Sequence, residues 1–339
     1  MALQRWWTPV GCERTEIFVS SMVGMFATRP GPVKQAHGSV PLEVNGGLLN
    51  DGLMFEGFVI EDIAVDGAVV HARHSGEGPA VLLLHGHPRT GATWHRVAPA
   101  LAEKGFRVIV PDLRGYGASR GPAPTLDHAP ASKRAMAGDL VNLMKALGIE
   151  KFSVAGHDRG SYAAFRLAMD HPEVVSRVAL LDCVPIVEHL ERISVEFATQ
   201  WWHWFFFAQP DTPERVTNAD PDSWYHGDPR RMGGGNYKEW RAATRDPVVV
   251  RGMLEDYRAG LTIDRAHEEA DRAAGRRLDL PLLVLWSLRD DLEQLCGDPL
   301  VIWRDWATNV QGRGIDSGHH MAEEAPEILT EALADFFEG

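Results

Sequence analysis

The chain has 339 residues, 45% of them hydrophobic, enough to bury the core of one large α/β domain or two modest ones. A formal charge of -13 at pH 7 repels phosphate, so nucleic acid and anionic membrane are not expected partners, although a small anion in a local basic pocket is compatible with it. Cys12, Cys183 and Cys296 are far apart and lack CxxC spacing, which points to neither a disulfide framework nor a zinc site and makes a reducing cytoplasm the expected compartment.

Residues 1 to 55 carry glycine, proline and isolated hydrophobics without a sustained period and read as a poorly ordered N-terminal extension. Its apolar patch IFVSSMVGMFA (17 to 27) follows the acidic Glu13 and Glu16 rather than a basic segment, so it is not read as a cleaved signal. No stretch approaches the roughly 20 apolar residues of a membrane span. From MFEGFVIEDIAVDGAVVHARHSG onward the residues alternate as in strands.

Short apolar runs then alternate with helical ones. AVLLLHG (80 to 86), FRVIVPD (106 to 112), KFSVAGHD (151 to 158) and VSRVALLDCVP (175 to 185) read as strands. Between them, TGATWHRVAPALAEKG (90 to 105), ASKRAMAGDLVNLMKALGI (131 to 149) and RGSYAAFRLAMDHPE (159 to 173) read as helices. This alternation predicts a parallel sheet with right-handed crossovers, and the unbroken apolar runs predict strands covered on both faces. Residues 186 to 276 lack strand signals and contain the aromatic cluster WWHWFFF (201 to 207), so they read as an inserted helical cap. Strands resume at LPLLVLWSLRDD (280 to 291) and VQGRGIDSGHH (310 to 320), and APEILTEALADFF (325 to 337) closes the chain as a helix. The core is therefore expected from 56–185 and 277–339.

Gly156-His157-Asp158-Arg159-Gly160 has the strand–turn–helix setting of the G-x-S-x-G nucleophile elbow, with aspartate in the serine position. Aspartate is also a favoured helix N-cap, which is the structural alternative for Asp158. A carboxylate suits displacement of a leaving group from saturated carbon, giving an alkyl ester, whereas a serine alkoxide suits an acyl carbon. The helix N-terminus and the Arg159 guanidinium would both hold such a carboxylate ionised. Three further fragments fit the same setting: LLLHGHPRTGATW, VPDLRGYGAS, and DSGHHMAEEAPE with its histidine after the last strand.

On these residues, over 56 to 339, the chain resembles the α/β-hydrolase-fold haloacetate (fluoroacetate) dehalogenases, with epoxide hydrolases as cousins. The resemblance implies a mostly parallel eight-stranded sheet with helices on both faces and an inserted helical cap. It implies Asp158 as nucleophile, His319 as base and Asp182 as the acid that orients it, with the backbone amides of His87 and Arg159 as oxyanion donors. Arg159 would bind the substrate carboxylate, and His203, Trp204 and Tyr257 would hold the departing halide. Trp204 lies in an aromatic run of a kind that more often means lid packing than a ligand site.

Asp290 in LWSLRDD competes with Asp182 for the acid, the LDxVP context favouring Asp182. His319, not His320, follows the Ser-Gly pair of the family, while His85 and His157 read as structural. Tyr162 stands where the family carries a second arginine, so the charged carboxylate clamp is halved, with a phenol left to add one hydrogen bond.

The expected activity is hydrolytic dehalogenation of a small haloacid, with haloacid and water as its only small-molecule partners. No cofactor or metal is implied, and a homodimer is a family-level expectation. An epoxide hydrolase with the same Asp158 is the alternative, for which the lid offers Tyr225, Tyr237 and Tyr257. A hydrolase-fold ligand receptor without turnover is a third reading, opposed by the complete Asp, His and acid set.

Overall fold

In the computed structural model, residues 54–339 are described. The strands are β1 (Val59–Val65), β2 (Ala68–Ser75), β3 (Ala80–Leu84), β4 (Arg107–Pro111), β5 (Phe152–His157), β6 (Val175–Leu181), β7 (Leu278–Ser287) and β8 (Ala307–Ile315). They form one sheet in the order β1-β2-β4-β3-β5-β6-β7-β8. β1 and β2 pair antiparallel, β2 runs antiparallel to β4, and every pairing from β4 to β8 is parallel. β3 and β5 are buried at every position, which is why AVLLL and FSVAGH carry no polar alternation, whereas β1 and β8 are edges with exposed residues.

Helices cover both faces. Val97–Glu103 and Pro326–Glu338 pack over one, where Trp94, Leu101, Leu329 and Leu333 meet Leu83 and Val108. Lys133–Ala146, Arg159–Asp170 and Pro299–Trp306 cover the other, where Leu140, Phe165 and Trp303 meet Leu82 and Val154. Each fully buried leucine of β3 contributes about 1.5–3 kcal/mol of transfer free energy, which makes the central strands the rigid frame from which the site projects.

Between β6 and β7 the chain carries helices and no strand, from Ile186–Glu191 to Arg265–Ala273. The helix Pro247–Ala259 runs into one π-helical turn, Gly260–Asp264. Buried polar ties join these helices to the sheet. Glu323 accepts from Arg89, Thr93 and Asn236, and the Tyr116 hydroxyl donates to Asp256 at 2.7 Å. The N-terminal extension falls almost entirely outside the described residues. Phe55, placed at its end by the sequence, is buried against Phe58 and under the Arg73 guanidinium. No helix among the described residues is long and apolar enough to cross a membrane.

Candidate active site

Asp158 occupies the turn between β5 and the helix Arg159–Asp170, with φ 52° and ψ −119°. A non-glycine residue there is strained, and it makes no side-chain capping bond to its helix, so the N-cap alternative does not account for it. The turn is possible because a Cβ at Gly156 would strike the Gly160 carbonyl, and one at Gly160 the carbonyls of Leu84 and His85. Ser161 locks the bend from behind, its Oγ donating to Gly156 O at 2.6 Å while the Leu181 amide donates back to it at 3.1 Å.

The loop after β3 approaches this turn closely enough that a Cβ on Gly86 would overlap the Asp158 side chain. The His87 amide donates to Asp158 Oδ1 at 2.7 Å, and the Arg159 amide also favours the charged carboxylate. Burial alone would raise the Asp158 pKa, but neighbouring His319, His157 and Arg159 outweigh it and hold the group below the usual carboxylate range.

His319 lies after β8 with Nε2 3.9 Å from Asp158 Oδ2, too far for a hydrogen bond, so this nitrogen is free to act on a third group. Its Nδ1 faces two carboxylates: Asp182 Oδ2 at 2.7 Å and Asp290 Oδ2 at 3.0 Å. Asp182, at φ 55° beyond β6, is buried and accepts the Ser287 amide at 3.0 Å. Asp290 follows β7 and is 30% exposed. The two residues that compete for the acid in the sequence therefore meet on one imidazole. Burial alone would lower the His319 pKa, yet the hydrogen bond to Asp182 and the nearby carboxylates of Asp290 and Asp158 raise it well above 6.5.

His157 Nε2 lies 2.6 Å from the His319 carbonyl. His85 takes the Leu113 amide on Nε2 at 2.9 Å and so carries its proton on Nδ1, 3.0 Å from Gly86 O. Both tie loops together. His320 packs its ring on His157 and His319, and its carbonyl accepts from the amides of Glu323 and Glu324. Among the described residues, His157, His319 and His320, and again Asp182, Asp290 and His319, bring ligand-type atoms within 4.8 Å of one another. In the second group the Nδ1 of His319 is already committed to the carboxylates.

Arg159 corrects one expectation. Its fork is not open for a bidentate grip on a substrate, because Nε and Nη2 bind Asp256 Oδ2 and Oδ1 at 2.9 and 3.0 Å, and Nη2 also binds the Asp256 carbonyl at 2.8 Å. Lys133 Nζ is paired with the same carboxylate. Only Nη1 of Arg159 is without a protein acceptor among the described residues, so one edge of a cation already offset by Asp256 faces what remains. The guanidinium lies over the rings of Tyr257 at 4.3 Å, Tyr162 at 5.3 Å and Trp204 at 5.7 Å. Tyr162 itself is buried, edge-on to Trp204 and His189, and its hydroxyl makes no hydrogen bond with the described residues.

The lid brings His203, Trp204 and Tyr257 together, with Tyr257 6.0 Å from the His203 ring and 6.2 Å from that of Trp204. Trp204 also stacks on Trp201 at 5.6 Å, so the packing role of the aromatic run is fulfilled by the same residue. Burial lowers the His203 pKa to about 4, which leaves it neutral with one N–H to offer.

One participant, the His87 imidazole, escapes sequence reasoning, and it sits beside Tyr225, a lid tyrosine that the sequence does offer. The His87 side chain, beside its bonded amide, is caged by Tyr257, Phe207 and Tyr225 at 5.1, 5.3 and 5.6 Å, with its Nδ1 buried and unpartnered. The Tyr225 hydroxyl is likewise buried without a partner. Both residues line a cavity of about 560 Å³ together with His203, Phe207, Trp224 and Met232. The His-Gly-x-Pro turn locates the His87 amide, but nothing in it announces the imidazole.

Comparison with known proteins points to one fold family. The model of the alpha/beta hydrolase fold family matches residues 79–322. A fluoroacetate dehalogenase from Burkholderia sp is 38% identical over 84% of this chain and 95% of its own. An epoxide hydrolase from Caballeronia sordidicola is 42% identical over 81% of this chain and 92% of its own. Among solved structures, a candidate epoxide hydrolase of Pseudomonas aeruginosa superposes with a TM-score of 0.77 at 41% identity, covering 84% of this chain and 97% of that one.

Proposed function

The chain belongs to the α/β-hydrolase fold family, and within that family we propose that it is a hydrolytic dehalogenase acting on a small haloacid. The observation that carries this is the grouping of Asp158 and Arg159 beneath the three lid donors of His203, Trp204 and Tyr257. The 38% identity to the Burkholderia fluoroacetate dehalogenase supports it.

Asp158 is ionised and has Oδ1 held by the His87 amide, leaving Oδ2 to attack. Oδ2 forms a bond to the carbon bearing the halogen, and the carbon–halogen bond breaks with its electron pair leaving on the halide. Stripping water from that halide has to be offset by new donors, and a neutral imidazole, an indole N–H and a phenol provide them. The substrate carboxylate would be met by Nη1 of Arg159, with the Tyr162 hydroxyl as a second donor.

His319 then takes a proton from water, and the resulting hydroxide adds to the ester carbonyl of Asp158. The oxyanion develops on Oδ1, at the amides of His87 and Arg159, where preorganised donors stabilise it most. Collapse releases the hydroxyacid, which takes a proton as it leaves, and restores the Asp158 carboxylate with one oxygen from water. Every atom comes from substrate, water or Asp158, so the scheme calls for no cofactor.

A second reading, epoxide hydrolysis through the same aspartate, is favoured by Tyr225 and Tyr257 flanking one imidazole beside the elbow, two lid phenols suited to protonating an epoxide oxygen. Tyr237 is not one of them: its ring tilts against Trp240, and it is not among the residues that line the cavity with Tyr225. Purified protein incubated with fluoroacetate, chloroacetate and a terminal epoxide separates the two. Halide release from the haloacids is expected. Diol formation without any halide release would replace the first reading by the second.

A further inference from the structure

His319 offers one N–H at Nδ1, and one carboxylate suffices to orient an imidazole and stabilise its cation. Here one carboxylate hydrogen-bonds that nitrogen and a second lies beside it, from the ends of neighbouring parallel strands: Asp182 beyond β6 at 2.7 Å, and Asp290 beyond β7 at 3.0 Å as an ion pair. The two differ in every other respect. Asp182 is buried, its amide donates to Leu285 O at 2.8 Å and its Oδ1 takes the Ser287 amide. Asp290 is partly exposed on a loop, and its neighbour Asp291 is pinned by Trp201 Nε1 at 2.9 Å.

We propose that Asp182 and Asp290 are interchangeable partners of His319, and that Asp290 is a second positioning residue for the base, able to orient it and balance its charge when Asp182 cannot. The catalytic side of this proposal rests on the function proposed above, but the pairing itself does not. Two carboxylates this close cannot both ionise without a shared proton or a cation between them, and His319 is placed to be that cation. Burial raises the Asp182 pKa, while the neighbouring His319 lowers that of Asp290 despite its partial burial. The second carboxylate, at 3.0 Å from Nδ1, therefore adds its charge to the side of the ring that Asp182 already holds.

The remaining groups that act on this cluster are Asp158 and His157 from β5 and its turn, His203 from the lid, Asp291 beside Asp290, and His320. Of these, Asp158 stabilises the charged imidazole from the Nε2 side. It does not touch Nδ1, so it cannot replace either acid in fixing the ring.

The test uses Asp182→Asn, Asp290→Asn and the double variant of the full chain. Asparagine tolerates the positive φ of position 182 and keeps the side-chain oxygen for Ser287. With haloacid, each single variant is expected to lose no more than about tenfold in the ester-hydrolysis step, while the double variant loses on the order of 10⁴-fold, the scale of a histidine deprived of its aspartate. Histidine NMR titration of the same proteins, with the His319 signal assigned by its loss in His319→Gln, needs no substrate. It is expected to show a lower His319 pKa in either single variant and a lower one still in the double. If Asp290→Asn leaves both the titration and turnover unchanged while Asp182→Asn equals the double variant, Asp290 is a bystander and the proposal is overturned. Absence of turnover on any haloacid would sink the proposed function and leave the titration to decide the pairing.

Discussion

Asp256 grips Arg159 through both carboxylate oxygens, from the lid helix Pro247–Ala259 to the first residue of the helix behind Asp158. The carboxylate also takes the Tyr116 hydroxyl and the Lys133 ammonium, and all four side chains are buried. This relationship ties the helical insertion to the elbow and offsets part of the charge that the haloacid of the proposed function would meet.

Removing the Asp256 carboxylate leaves the Arg159 guanidinium with only the backbone carbonyl of residue 256, the Tyr116 hydroxyl without its acceptor, and Lys133 with only Asp264 at 3.9 Å, all of them buried. Asp256→Ala is therefore expected to lose about 3–5 kcal/mol of stability, read from urea unfolding at constant m-value. A loss below about 1 kcal/mol, the range of exposed pairs, would mean that water replaces the carboxylate freely.

The pH dependence follows from His319. Its pKa is raised above 6.5, so the imidazole is charged in the lower range and becomes a base only as pH rises through the raised value. Ester hydrolysis is expected to fall about tenfold for each pH unit below that midpoint, whereas alkylation of Asp158, whose pKa is lowered, stays flat through neutrality. The sign for stability is opposite: a raised histidine stabilises the fold fully below 6.5 and loses that contribution as pH climbs through the folded value. Single-turnover measurements from pH 6 to 10, with halide release and ester decay followed separately, check both steps.

The His87 side chain has a buried nitrogen with no partner inside an aromatic cage. His87→Phe preserves the backbone amide that meets Asp158 and removes the unsatisfied group, so thermal unfolding should show about 1 kcal/mol of added stability. Halide release should persist. A large loss of turnover would assign the imidazole itself a part in the chemistry.

Tyr257 donates to the halide in the proposed scheme. Tyr257→Phe keeps the ring under Arg159 and deletes one donor, so haloacid turnover should drop about 10- to 100-fold, the weight of a hydrogen bond to a charged group. The drop should be steeper for fluoroacetate than for bromoacetate, since fluoride is the more strongly hydrated leaving group. Equal losses with both halides, measured by halide-specific release, would remove Tyr257 from the leaving-group site.

Much of this site is local and therefore legible in the chain. The glycines of GHDRG encode the elbow, and continuous apolar runs such as AVLLL mark the buried parallel strands that aim the loops. The unread parts depend on tertiary proximity. Asp256 meets Arg159 across 97 residues with no motif linking them. Asp182 and Asp290 read as rivals along the chain because adjacency of β6 and β7 places both on one imidazole only once the sheet forms. His87 carries its message in a backbone amide, and the cage around its ring comes from three other elements.

Covalent alkylation of Asp158 is the step on which the proposed function depends. A His319→Asn variant, incubated with chloroacetate and digested, should accumulate the ester because the base that hydrolyses it is gone. The peptide containing Asp158 is expected to gain the mass of a carboxymethyl group, with one equivalent of chloride released. An unmodified Asp158 peptide in a variant that still binds or turns over haloacid would contradict it.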